Sequence, residues 1–119
     1  MKFTESHEWI QIEGDTGTVG VSDHAQHELG EIVYVELPEV NKTVKAGEEV
    51  VVLESTKAAA DVYAPVSGTI TAVNDLLESA SGTVNESPEN EGWLFKIKLS
   101  NLAELDSLMD EKTYRATLI

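Results

Sequence analysis

The sequence predicts one mainly β domain, a sandwich or barrel of short strands with two or three short helices. Three observations carry this prediction. Six short segments are rich in β-branched residues, turn residues separate them at close intervals, and 119 residues suit a single hydrophobic core.

The first strand is TVGV at 18–21, entered through the glycines at 14 and 17. SDHAQHELG follows, and it reads as a helix of about two turns. Asp23 is its expected N-cap, with Gln26 three residues on as a capping box, and Gly30 is placed to end it in the αL conformation. IVYVEL at 32–37 is the next strand, closed by the turn residues of 38–42. VVVL at 50–53, VYAPV at 62–66 and TITAV at 69–73 follow, and Gly68 and its neighbour Ser67 separate the last two. NDLLESA at 74–80 reads equally as a turn or as a single helical turn, and LFKIKL at 94–99 is the sixth strand. NLAELDSLMD repeats the capping device with Asn101 and Glu104. It sets Leu102, Leu105, Leu108 and Met109 on one helical face, as a cap over about 101–117 that seals the open end of the core. Trp9 and Trp93 lie among apolar residues and read as packing anchors, each worth about 3–5 kcal/mol on truncation to Ala.

Composition excludes several classes. Lys+Arg 8 against Asp+Glu 22 gives a formal net charge of -14, which repels phosphate backbones and argues against nucleic-acid binding. No apolar run approaches the roughly 20 residues that span a bilayer. MKFTESHEW has neither the apolar stretch of a signal peptide nor the arginines of a transit peptide. The expected setting is a bacterial or archaeal cytoplasm, or a mitochondrial matrix for a matured organellar chain, with the protein a monomer. Cysteine is absent, so any thiol chemistry must come from an attached group.

The informative segment is EEVVVLESTKAAADVYAPVSG, residues 48–68. Its apolar run stops at Glu54 and β character resumes at Asp61, so 55–60 must turn the chain back, and Lys57 sits in that turn. Around Lys57 stand only Ser55, Thr56, Ala58, Ala59 and Ala60, so an approaching enzyme pocket meets little obstruction. A lysine amine with an ordinary pKa near ~10.4 is almost entirely protonated at neutral pH. Acylating it therefore implies a modifying enzyme that removes the proton and supplies an activated acyl group, and a rigid hairpin presents one lysine among several.

With these residues in view, the chain resembles the glycine cleavage H-protein family of lipoyl carriers. SHEWI at 6–10, TVGVSDHAQHELGEIVYVELPEV at 18–40, VKAGEEV at 44–50, ESTKAAADVYAPVSG at 54–68, AVND at 72–75 and VNESPENEGWLFKIK at 84–98 carry the resemblance over nearly the whole length. It implies a barrel-sandwich hybrid of the lipoyl-domain type spanning 1–119, with lipoic acid joined covalently to Lys57. The implied partners are a pyridoxal-phosphate glycine decarboxylase, a tetrahydrofolate-dependent aminomethyltransferase, a dihydrolipoyl dehydrogenase and a lipoyl-attaching enzyme. The carrier itself is expected to be non-catalytic. In the family the loaded arm folds back on the carrier; by matching motif, Ser6, Glu8 and Asp61 line that resting place, where the two carboxylates would hold an amine by charge-assisted hydrogen bonds.

Two departures stand out. Thr56 occupies the place where the family usually has Val, which keeps the β-branched shape. Within 78–91 the chain lacks a Pro before VN and has Glu89 where an aromatic is common, which is expected to bear on partner docking and arm burial. Rival readings rest on fewer residues. His24 and His27 share a helical spacing for metal but have no third ligand, and Ser55 with Lys57 suits a Ser/Lys hydrolase but lacks an oxyanion motif. Biotinyl carriers usually flank their lysine with Met, and the lipoyl domains of 2-oxo acid dehydrogenases usually place Asp before it. The strongest alternative is a lipoylated H-like protein that relays lipoyl groups to other complexes.

Overall fold

Alternation along the strands decides which face each one buries. In the last long strand, Phe95, Ile97 and Leu99 are buried while Lys96 and Lys98 face outward. The computed structural model describes residues 1–118. In chain order the strands are β1 (Lys2–Phe3), β2 (Glu8–Glu13), β3 (Thr16–Val21), β4 (Ile32–Glu36), β5 (Thr43–Val44), β6 (Glu49–Ser55), β7 (Ala59–Tyr63), β8 (Gly68–Val73), β9 (Phe95–Leu99) and β10 (Met109–Asp110). Helices α1 (Asp23–Leu29), α2 (Leu76–Ser79), α3 (Thr83–Glu86) and α4 (Glu111–Thr117) join them, with a 3₁₀ helix at Leu102–Ser107.

A seven-stranded sheet runs β10-β1-β2-β3-β9-β8-β5, and a three-stranded sheet runs β4-β6-β7, every pairing antiparallel. Val19, Ile70, Phe95 and Ile97 of the larger sheet and Val35, Val51, Leu53 and Val62 of the smaller belong to one buried cluster, so the two sheets share a core. This is the mainly β architecture that the sequence predicts, and the barrel-sandwich hybrid that the resemblance implies. A second cluster of Phe3, Trp9 and Tyr114 fastens the chain's beginning to its end, with the Phe3 and Tyr114 rings stacked at 4.3 Å. The Trp9 ring packs against Gly20, where a β-carbon would come within 2.7 Å of it, and its Nε1 donates to the carbonyls of Val21 and Pro88. Trp93 is half-buried and precedes β9 rather than lying in a strand.

Three expectations need correction. The N-cap of α1 is Ser22, not Asp23: Ser22 Oγ accepts from Ala25 N at 3.2 Å, while Asp23 takes the side-chain amide of Gln26 at 2.9 Å. The returning strand of the lysine hairpin is Ala59–Tyr63 rather than 62–66, because Ala59 and Ala60 already pair with Glu54 and Leu53. The turn is therefore three residues long, 56–58. Asn101 does cap the C-terminal segment through Ala103 N, but the helix is 3₁₀ and Leu102 stays 53% exposed. Met109 is drawn into pairing with Phe3, which ends that helix, and Asp110 then caps α4 by accepting from Thr113 N. The ambiguous segment 74–80 contains the single turn α2.

Candidate functional site

The tip of the β6–β7 hairpin is built by one hydroxyl. Ser55 Oγ accepts from the backbone N–H groups of Lys57 and Ala58, each at 3.1 Å, and donates to Ala58 O at 3.0 Å. Ser55 N donates to the same carbonyl at 2.8 Å. With its hydroxyl committed to closing the turn, Ser55 has a structural task at this position. Thr56 N donates to Glu31 O at 3.0 Å, which ties the tip to the chain entering β4.

Lys57 is exposed, and its methylene stem lies across Gly30, where a β-carbon would come within 2.7 Å of Lys57 Cε. Gly30 answers two demands there: it leaves room for the lysine, and it adopts φ 82° as the C-cap of α1. Its ψ of −162° lies outside the αL well expected of it, although its N–H still closes on Gln26 O. Asn85 of α3 holds this floor in place. Its Nδ2 donates to Gly30 O at 2.8 Å and to Gln26 Oε1 at 3.0 Å, and its Oδ1 accepts from Ile32 N at 2.8 Å.

A cavity of about 150 Å³ lies between α1, β7 and the entry to β2. Val21, Ala25, Leu29 and Val62 give it an apolar lining, and Ser6, His7, Glu8, Glu28 and Asp61 add polar groups. Ala60, Asp61 and Val62 are three to five residues along β7 from Lys57, roughly 10–16 Å at the strand rise. The structure thus brings Ser6, Glu8 and Asp61 to one cavity within reach of the lysine's hairpin. Glu8 is 2% exposed. Its Oε1 accepts from the hydroxyls of Thr4, at 2.5 Å, and Ser6, at 2.6 Å, and its Oε2 accepts from Tyr63 N at 3.3 Å. A carboxylate offers about four acceptor positions, so Glu8 is held in place with capacity left for a further donor. Asp61 is exposed at the rim.

The remaining candidates are elsewhere engaged. His24 Nε2 lies 3.8 Å from Glu28 and its ring 4.7 Å from that of His7, while His27 Nε2 is 3.4 Å from Asp23. Glu89, the unusual residue of 78–91, accepts from Asp23 N at 2.9 Å through Oε2 and from Arg115 at 3.3 Å through Oε1. A carboxylate at the first turn of α1 is electrostatically favourable, and here it also couples α1 to α4. Asn85, His7 and Tyr114 escaped the sequence reading, since their partners stand up to 107 residues away. All three lie in segments that the sequence marks for other reasons, 6–10, 84–98 and 101–117.

A profile of the family described as "Glycine cleavage H-protein" matches residues 1–119. A glycine cleavage system H protein of Xanthobacter autotrophicus is 53% identical over 115 residues, covering 97% of this chain and 92% of the relative. That of Teredinibacter turnerae is 56% identical over 115 residues, covering 96% and 88%. The crystal structure of a glycine cleavage system H protein from Mycobacterium marinum superposes with a TM-score of 0.90 at 35% identity, covering 98% of this chain and 94% of that one.

Proposed function

The chain belongs to the glycine cleavage H-protein family, and from that premise we propose that it is a non-catalytic carrier whose Lys57 holds a lipoyl group in amide linkage. One observation supports this above the others: an exposed lysine on the three-residue turn of a hairpin whose returning strand also lines a cavity that combines apolar side chains with the carboxylates of Glu8, Glu28 and Asp61. That shape fits an acyl arm with a cationic terminus. Amide formation at Nζ removes one positive charge, taking the formal net charge from -14 to -15. Bound there, the lipoyl group supplies a disulfide ring that accepts an aminomethyl group and electrons.

The chain's own residues do the rest. The tie from Thr56 to Glu31 and the Asn85 clamp fix the origin of the arm. Val21, Ala25 and Leu29 exclude water from its length, and Glu8 and Asp61 hold its amine. Glu8→Gln keeps the shape of the residue and removes its charge. The variant is expected to be lipoylated normally and to lose its cargo about tenfold faster, corresponding to one charge-assisted hydrogen bond of about 1.5 kcal/mol. The measurement is the rate of ammonia release from the loaded chain, and an unchanged rate removes Glu8 from this role.

The proposed partners are the glycine decarboxylase, the aminomethyltransferase, the dihydrolipoyl dehydrogenase and the enzyme that attaches the lipoyl group. Reconstituting glycine–bicarbonate exchange with the lipoylated chain and the decarboxylase tests the assignment. Exchange that depends on the lipoylated chain supports it, whereas full lipoylation without exchange favours the relay of lipoyl groups to other complexes.

A further inference from the structure

His7 enters the cavity wall at φ 73°, in the left-handed region that a β-carbon disfavours. Two ties hold it there. Its carbonyl accepts from Ser22 N at 2.9 Å, and its Nδ1 lies 2.7 Å from the hydroxyl of Tyr114 on α4. That hydroxyl in turn lies 2.7 Å from Ser22 Oγ, so Ser22, Tyr114 and His7 form a chain running from the start of α1 to the cavity.

Counting protons gives the chain a direction. Ser22 is fully buried, and among the described residues its Oγ meets two polar groups: the Ala25 N–H, which is a donor, and Tyr114 Oη. The single proton of Ser22 therefore goes to Tyr114, and Tyr114's proton goes to His7 Nδ1. Reversing the chain would strand a buried hydroxyl proton, at a cost of about 1–3 kcal/mol. With Nδ1 accepting, a neutral His7 carries its proton on Nε2.

The titratable groups around His7 come from four elements: Glu8 on β2, His24 and Glu28 on α1, Asp61 on β7 across the cavity, and Tyr114 on α4. Burial, and then His24, hold the imidazole below its ordinary pKa, while Glu8 and Glu28 pull the other way. Burial raises the Tyr114 hydroxyl above its usual value, which keeps it a donor.

We infer that Tyr114 and Ser22 are positioning residues that fix His7 as the neutral Nε2–H tautomer, so that the carboxylates of Glu8, Glu28 and Asp61 set the sign of the cavity and make it selective for a cationic arm terminus. This deepens the carrier reading and rests on it. An imidazolium at the same place would repel the amine that Glu8 and Asp61 attract.

The test has two arms. In the first, ¹⁵N shifts of the His7 ring are followed through a pH titration of the full unlipoylated chain. The wild type is expected to show Nε2–H, and Tyr114→Phe, which keeps the ring stacked on Phe3, is expected to mix tautomers and raise the His7 midpoint. His24 and His27 serve as internal references. An Nδ1–H wild type, or a folded Tyr114→Phe with an unaltered His7, overturns the inference; should that variant fail to fold, the wild-type tautomer still decides. In the second arm, the lipoylated chain is loaded and its cargo lifetime compared at about pH 6 and about pH 8. Tyr114→Phe is expected to lose its cargo several-fold faster at the lower pH relative to wild type, and His7→Gln, neutral throughout, is not. Equal lifetimes for Tyr114→Phe and wild type at both pH values overturn the selectivity claim. A wild type that protects its cargo no better than free lipoamide refutes the carrier's shelter and this claim with it, and the tautomer arm tells that failure apart.

Discussion

Gly68→Ala is expected to be the most damaging single-methyl substitution in the fold. Gly68 opens β8 opposite Leu99 of β9, and an added β-carbon would stand 2.1 Å from Lys98 O and 2.9 Å from Lys98 C. Both obstacles are backbone atoms, so no side chain can turn aside, and the strands must separate where the hydrophobic face of β9 seals the core. Overpacking of this kind costs about 3 kcal/mol or more. For a domain of this size that corresponds to a fall in Tm of roughly 10 °C or more, read by circular dichroism. A variant within a degree or two of wild type would show that β8 can shift at no cost.

The lysine hairpin was legible for a local reason. An apolar run that halts at Glu54, small residues on both sides of Lys57, and renewed β character at Asp61 specify a reversal without any long-range contact. The error was in its length, because Ser55 closes the turn with its own side chain and lets pairing resume at Ala59. The helix at 23–29 was legible too, but Ser22 and Asp23 are adjacent residues that both make good N-caps, and pattern alone cannot choose between them. At 101–109 the apolar spacing suggested one helical face, and tertiary pairing of Met109 with Phe3 overrode it. The strand at 8–13 escaped as an element, although Ile10 and Ile12 alternate with polar residues there; β1, β5 and β10 are two residues each and too short to show any period. Ser6, Glu8 and Asp61 came from the resemblance and not from their own spacing, and the cavity that gathers them exists only once β2, α1 and β7 have packed. Asn85 and Tyr114 act across 53–59 and 92–107 residues, where a single sequence carries no local signal.

Everything functional here depends on which nitrogen carries the arm. Lys57→Arg keeps the positive charge and the exposed position but replaces an amine with a guanidinium, which cannot be deprotonated in a protein and is no acceptor for an acyl group. The fold is expected to be unchanged and the loss of attachment complete, because Lys2, Lys42, Lys45, Lys96, Lys98 and Lys112 lack the presenting turn. The direct measurement is intact-mass spectrometry, with peptide mapping, of both proteins made in cells able to synthesise lipoate. The account predicts one lipoyl adduct per wild-type chain, located on residue 57, and none on Lys57→Arg; a bare wild type, or an adduct that survives the substitution, would contradict it.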